Sequence, residues 1–281
     1  MSDVQISRDD RIVLEEKSHI YFIDGRCDFI SVSDFKKQWF KNPYDAQKAS
    51  ESHVGKGVEH ERSDMMPEEV NSMVNRENED KRWRGTELHT WIEEFYKPNV
   101  EMKSTTNFDY LSVYLRMISA EGLTLDDLKC GDQGWCNFIK FVSANSTWQL
   151  LRSEWRIFHE KFKLAGTLDA LFKIPMTDGT HRIAICDWKR VANLKFESKF
   201  VVGDARKFSV PIIFPATNYW EYHVQLNLYR IILEDYYDMK IDYMMIVRLS
   251  DRTKKFEIHL IERDDRFRII LESRTQYFIT I

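Results

Sequence analysis

Cysteine is scarce in this chain. Its 281 residues hold four (Cys27, Cys130, Cys136 and Cys186) at irregular spacing. That excludes a disulfide-dense secreted scaffold, and no CxxC pair offers zinc or iron–sulfur spacing. The thiols are expected to be reduced and mostly buried. Long apolar runs are missing as well: none approaches the ~20 residues that span a bilayer. The opening stretch MSDVQISRDDRIVLEEKSH lacks the basic-then-apolar order of a signal peptide. An intracellular protein, in cytoplasm or nucleus and without a membrane partner, is the expectation. Internal repeats, low-complexity tracts and a clear linker are also absent.

Charge of one sign is lacking overall, since the formal net charge is −4. This excludes a wholly basic nucleic-acid coat protein. The distribution is uneven. Residues 1–150 hold 19 basic and 27 acidic side chains, whereas residues 151–210 hold 12 basic and 7 acidic. A local positive field in an acidic chain suits an enzyme that touches a polyanion at one place. With 43% hydrophobic and 31% charged residues, the composition is that of an ordinary globular protein.

The hydrophobic period divides the chain. Asp24-Gly25 in HIYFIDGRCDFISVS has hairpin chemistry, and Ser31 with Asp34 resembles a capping box opening the helix DFKKQWF. Residues 50–150 read as mostly helical, with helices from Pro67 to Tyr96, Asp109 to Ala120, and Gly134 to Asn145. From Leu150 the pattern becomes strand-like: LLRSEWRIFHE, KLAGTLDALFKI and RIAICDWKR, the last two joined by the turn Thr177-Asp178-Gly179. A helix over Tyr219–Tyr237, entered through Thr217-Asn218, two strands, DYMMIVRLS and KKFEIHLIE, and a helix near Asp264–Gln276 complete the chain. The expected fold is α/β, a central mixed sheet flanked by helices, with a mostly helical N-terminal part. Residues 1–80 are expected to form an extension packed on a core of residues 81–281.

Counting outward from the Thr177–Gly179 loop sets Asp169 opposite Asp187. Directly opposed carboxylates repel, and a cation between them removes the penalty. Lys189, two residues beyond Asp187, shares its face of the strand. Gly166 permits the close approach of another backbone or of a substrate. Two carboxylates and a lysine at a strand end suit a hard divalent cation.

Here the residues match a known family. Asp169 in GTLD, followed by Asp187-Trp188-Lys189 in CDWK, resembles the signature of the PD-(D/E)XK nuclease superfamily. Gly85 through His89 resembles the G-x-x-x-H motif of its RecB-like branch. Glu154 resembles that branch's acidic position on the preceding strand, and Gln225 through Tyr229 its Q-x-x-x-Y motif. The four elements occur in the family's order and cover about residues 80–265. The N-terminal segment and NYWEYHVQLNLYRIILE are similar to exonucleases of large DNA viruses and phages.

The resemblance implies a restriction-endonuclease-like core and a metal-dependent DNA nuclease, an exonuclease before a structure-selective endonuclease, serving repair, recombination or replication. It implies a host-cell location if the source is viral. His89, Asp169, Asp187 and the Trp188 carbonyl would hold Mg²⁺ or Mn²⁺, imidazole favouring Mn²⁺. Lys189 would position the nucleophilic water, with Glu154 beside it. Gln225, Tyr229, Arg190 and Arg84 would bind substrate, DNA or alternatively RNA, with Lys195 and Lys199 as further phosphate contacts. Trp83 or Trp220 would stack on an unpaired base. A catalytically silent nucleic-acid-binding protein is the rival from another class; it would be expected to lack one of the acidic or lysine positions, and none is missing.

Overall fold

A computed structural model describes residues 8–39, 67–97, 105–122, 131–199, 201–202 and 213–278. Three long antiparallel strands carry the architecture: β4 (Gln149–His159), β5 (Leu164–Pro175) and β6 (His181–Lys189). The β5–β6 register pairs Pro175 with His181 and Ala170 with Cys186, the alignment expected from the three-residue turn. Asp178 closes that turn by accepting from the Thr180 amide at 2.9 Å, and Gly179 supplies its positive φ of 78°.

The remaining strands extend this unit to six. β9 (Tyr243–Arg248) runs parallel to β6, and β10 (Glu257–Leu260) antiparallel to β9. On β5 the pairing is unusual. β4 occupies one edge from Leu164 to Lys173. The other edge is shared: the two-residue strand β3 (Ile30–Ser31) pairs in parallel at Leu164–Ala165, and β6 pairs at Ala170–Pro175. Residues 166–169 lie between these two partners, so the sheet forks there.

Alternate residues of the strands feed two cores. On one face, Leu164, Leu171, Ile185 and Ile246 pack against α1 (Val32–Trp39), α5 (Asn218–Tyr236) and α6 (Arg266–Phe278). On the other, Phe172, Cys186, Trp188 and Val247 pack against α2 (Pro67–Phe95), α3 (Asn107–Ala120) and α4 (Gln133–Ala144). Every residue of α5 from His223 to Leu233 is buried. Such a helix shows no clear apolar stripe because neighbours surround it. The two remaining short strands are β7 (Val201–Val202) and β8 (Phe214–Pro215), paired with each other.

The N-terminal segment differs from expectation. Asp24 and Gly25 do adopt the paired positive φ values (50° and 76°) of a tight hairpin turn, but it closes a single rung, Ile23 with Arg26. The longer pairing is upstream, between β1 (Ile12–Glu15) and β2 (Ile20–Ile23). Ser31 caps α1 as expected, its Oγ accepting from the Asp34 amide at 2.9 Å. Thr217 stands at the N-cap of α5, yet its hydroxyl makes no capping bond. The expected boundary after residue 80 falls inside α2, and β3 belongs to the central sheet. Cys186 is buried but Cys27 is exposed and Cys136 half-buried, none of the three joined in a disulfide; Cys130 lies outside the described residues. No described helix is long and apolar enough to cross a membrane.

Gly166 sits in the fork. A Cβ there would lie 2.7 Å from Tyr229 Cε1 and 3.2 Å from Val32 Cγ2. The close approach expected at this glycine is therefore by a tyrosine ring of α5 and a valine of α1, not by backbone or substrate. Gly166→Ala should overpack the junction and lower stability by about 1–3 kcal/mol. Urea unfolding of the variant against the wild type checks this; an unchanged midpoint would show that the ring can yield.

Candidate active site

Three carboxylates form a row across three neighbouring strands. The pairs Ser153–Ala170 and Trp155–Leu168 set Glu154 of β4 opposite Asp169 of β5. On the far side the β5–β6 ladder ends at Ala170–Cys186, and Asp169 and Asp187 are the next residues beyond it. Glu154 takes a φ of 45° inside its strand. A side chain with Cβ rarely adopts that left-handed value, at a cost of order 1–3 kcal/mol. Asp187 is 1% exposed and Asp169 8%.

Each carboxylate has been given partners. Asp169 Oδ2 accepts from the Trp188 amide at 2.8 Å, a bond that ties the two strands together where the ladder ends. Asp187 Oδ1 accepts from Gln225 Nε2 at 3.0 Å, and Oδ2 lies 2.7 Å from Lys189 Nζ. His89 reaches down from α2: its Nε2 is 3.0 Å from the Trp188 carbonyl, and its Nδ1 is 3.7 Å from Asp169 Oδ2 and 4.0 Å from Glu154 Oε1. A carbonyl only accepts, so Nε2 carries hydrogen and Nδ1 faces the carboxylates.

Burial, first of all, pushes the pKa of both Asp169 and Asp187 above the usual carboxylate range, and each is raised further by a neighbouring carboxylate. The charges of His89 and Lys189 act against this. For Lys189 burial pulls downward, but Asp187 and Asp169 outweigh it and the ammonium is held more firmly than usual. For His89 burial again pulls downward, while Asp169 and Glu154 push the imidazole up to about 9.

The His89, Glu154 and Asp169 ligand atoms lie within 4.8 Å of one another. The expected set of His89, Asp169, Asp187 and the Trp188 carbonyl is thus only partly gathered. Glu154 completes the cluster, Asp187 is engaged by Lys189 and Gln225, and the Trp188 carbonyl is engaged by His89. One nitrogen and two carboxylates, one of them buried beside a third acid, form a donor set that fits Mg²⁺ or Mn²⁺.

Arg190 corrects an expectation. Its side chain is 3% exposed, with Nη2 2.5 Å from Asp132 Oδ2 and 2.8 Å from Asp251 Oδ1, and Nη1 donating to the Arg84 carbonyl at 3.1 Å. It is unavailable to a phosphate. Instead it clamps α2, the N-cap of α4 and the turn after β9 onto the end of β6. Arg84 joins the same network, 3.4 Å from Asp251, and keeps a side chain 41% exposed. Tyr229 is buried against Gly166, behind the carboxylates. Lys195 and Lys199 are exposed. Trp83 is 62% exposed, whereas Trp220 packs on Phe214 and donates to the Phe196 carbonyl. A pocket of about 380 Å³ opens beside β2 and β3, lined by His19, Tyr21, Phe29, Ser31 and Asp34 among others. Tyr21 hydrogen-bonds Thr167, which connects this pocket to the strand of Asp169.

The sequence reading missed Lys36, whose Nζ donates to Gln225 Oε1 at 3.0 Å. It also missed the clamp acids Asp132 and Asp251. These residues lie outside the four nuclease-like motifs, and only the packing of α1, α4 and the turn after β9 brings them in. No protein-family model matches the chain, and no curated protein matches it in sequence.

Two predictions follow the geometry. Arg190→Ala leaves Asp132 and Asp251 with Arg84 as their remaining cation, 3.9 and 3.4 Å away, and should cost roughly 1–3 kcal/mol in urea unfolding. Should the chain bind DNA, the salt dependence of that binding would keep its wild-type slope in this variant; a slope flattened by one phosphate contact would return Arg190 to a ligand-binding role. The second concerns pH. The folded value of His89, about 9, lies above its ordinary 6.5. The charged imidazole therefore stabilises fully below about 6.5, and that contribution is lost as pH rises through about 9. In chelator, stability of the wild type should fall across this window relative to His89→Gln. Parallel curves would mean that His89 stays neutral in the fold.

Proposed function

We propose that this chain is a divalent-metal-dependent deoxyribonuclease of the PD-(D/E)XK type, an exonuclease acting on DNA ends within the cell. The observation that carries the reading is the row Glu154–Asp169–Asp187, with His89 against one end and Lys189 against the other. Structural ion pairs do not need three carboxylates on adjacent strands, one of them on a strained backbone. A site that gathers charge for a cation and a phosphate does.

His89, Glu154 and Asp169 would hold the ion, with Asp187 adjoining. Bound there, Mg²⁺ or Mn²⁺ supplies Lewis acidity toward a phosphoryl oxygen and lowers the pKa of coordinated water. The chain's own groups do the rest. Lys189 presents a fixed positive charge beside the carboxylates, placed to offset charge that develops on a phosphoryl group. Gln225 holds one oxygen of Asp187, leaving the other to Lys189. The Trp188 amide fixes Asp169, and the Trp188 carbonyl orients His89, as outer partners of metal-binding imidazoles do. Exposed Arg84 and Trp83 flank the approach along α2, supplying charge for a backbone phosphate and a face for an unpaired base.

The test is digestion of end-labelled linear, circular and single-stranded DNA with Mg²⁺, with Mn²⁺ and with chelator. Linear DNA should be degraded from its ends only when metal is present. Cleavage of the circle would favour the endonuclease. Lys189→Ala and Asp187→Asn should each lower turnover by roughly a hundred-fold or more, with wild-type circular dichroism. Full turnover by Lys189→Ala would sink the reading.

A further inference from the structure

α1 brings a second lysine to the site. Lys36 Nζ lies 3.0 Å from Gln225 Oε1, and Gln225 Nε2 lies 3.0 Å from Asp187 Oδ1. An ammonium can only donate and a carboxylate can only accept. The amide between them therefore has one orientation; flipped, it would set NH₂ against NH₃⁺ and oxygen against a buried carboxylate. Among the described residues no carboxylate lies within ion-pair distance of Lys36. Lys36 and Lys189 approach the same Tyr222 ring, at 5.7 and 5.0 Å from its centroid. Burial first, and Lys189 second, pull the Lys36 pKa down. The charges of Glu221 and Asp187 oppose this without reversing it, so a buried ammonium at this place weakens the fold. Such a local violation of good packing is expected where function requires it.

We propose that Lys36 is a positioning residue of the phosphodiester-cleaving site: it locks the Gln225 amide so that Asp187 is held in a single orientation toward Lys189 and Asp169. The proposal rests on the nuclease reading above. It makes α1, outside every motif of the sequence, a working part of the site. It also explains why the capping bond of Ser31 and the parallel rung of β3 on β5 matter. They set the position from which Lys36 reaches Gln225.

The test combines two measurements on the full chain. In the first, the side-chain amide resonances of Gln225, assigned by their disappearance in Gln225→Leu, are compared between wild type and Lys36→Met by ¹⁵N NMR without metal. The wild type should show two well-separated amide protons. In Lys36→Met they should move together toward free-glutamine values. Unchanged resonances would overturn the relay. In the second, cleavage of linear DNA is measured for Lys36→Met, Gln225→Leu and the double variant. Lys36→Met should lower kcat roughly ten- to a hundred-fold with KM little changed. Its melting temperature should equal or exceed the wild-type value, which a merely structural role would not give. In the Gln225→Leu background the same change should cost nothing more. An equal loss in both backgrounds, or an unchanged kcat with altered resonances, would refute the positioning role. Absence of cleavage by the wild type would overturn the nuclease reading, and the NMR arm would still decide whether Lys36 orients Gln225.

Discussion

The repulsion among Glu154, Asp169 and Asp187 is the constraint around which the rest of the molecule is arranged. Three acids stand on adjacent strands, two of them nearly inaccessible to water; burial and a neighbouring carboxylate raise the pKa of Asp169 and of Asp187 and weaken the sheet that carries them. Each of the surrounding features lowers that cost. Lys189 is drawn onto Asp187. His89 is drawn onto Asp169 and Glu154, and gives its other nitrogen to the Trp188 carbonyl. The Trp188 amide and the Gln225 amide supply neutral donors. None of these cancels the excess, because two cationic side chains face three carboxylates. The fold keeps a demand for positive charge at this place, which the cation of the proposed function would meet.

The sheet topology explains how such a row is built at all. β5 is paired by β4 along one edge, but its other edge passes from β3 to β6 with a gap over residues 166–169. A continuous partner strand would bury Asp169 between ladders. The gap lets Asp169 use the Trp188 amide while Tyr229 fills the space over Gly166. On β4 the backbone turns to a left-handed φ at Glu154, so the strain and the fork meet at the same rung. The clamp of Arg190, Asp132, Asp251 and Arg84 then holds α2, and with it His89, against the end of β6.

Much of this could be read from the residues. The turn Thr177-Asp178-Gly179 has few ways to close, so the β5–β6 register followed by counting as far as Ala170–Cys186, one residue short of Asp169 and Asp187. The long strands from Leu150 onward carry clear periods, and they and the two helices lie within two residues of expectation; β10 begins three residues later than read. Short elements were less legible. β1 and β3 have too few residues to show a period, and β3 gains its place from the edge of β5. Arg190 was misread because charge in a sequence says nothing of partners. Asp132 and Asp251 are 58 and 61 residues away, and both are needed to see that its guanidinium is spent. Lys36 was missed for the same reason, its partner lying 189 residues on.

A chain of dependence runs from the first described strands to the carboxylates. The Ser31 cap starts α1, α1 aims Lys36, Lys36 fixes the Gln225 amide, and that amide leaves Asp187 Oδ2 for Lys189. Each link is a donor meeting an acceptor that has no alternative orientation, so the order cannot be permuted. The consequence is that the site is assembled from elements on both sides of the sheet, His89 from one layer and Lys36 with Gln225 from the other. The strands alone hold the carboxylates in a row; it is the two helical layers, pressed on opposite faces, that determine what each carboxylate can still bind.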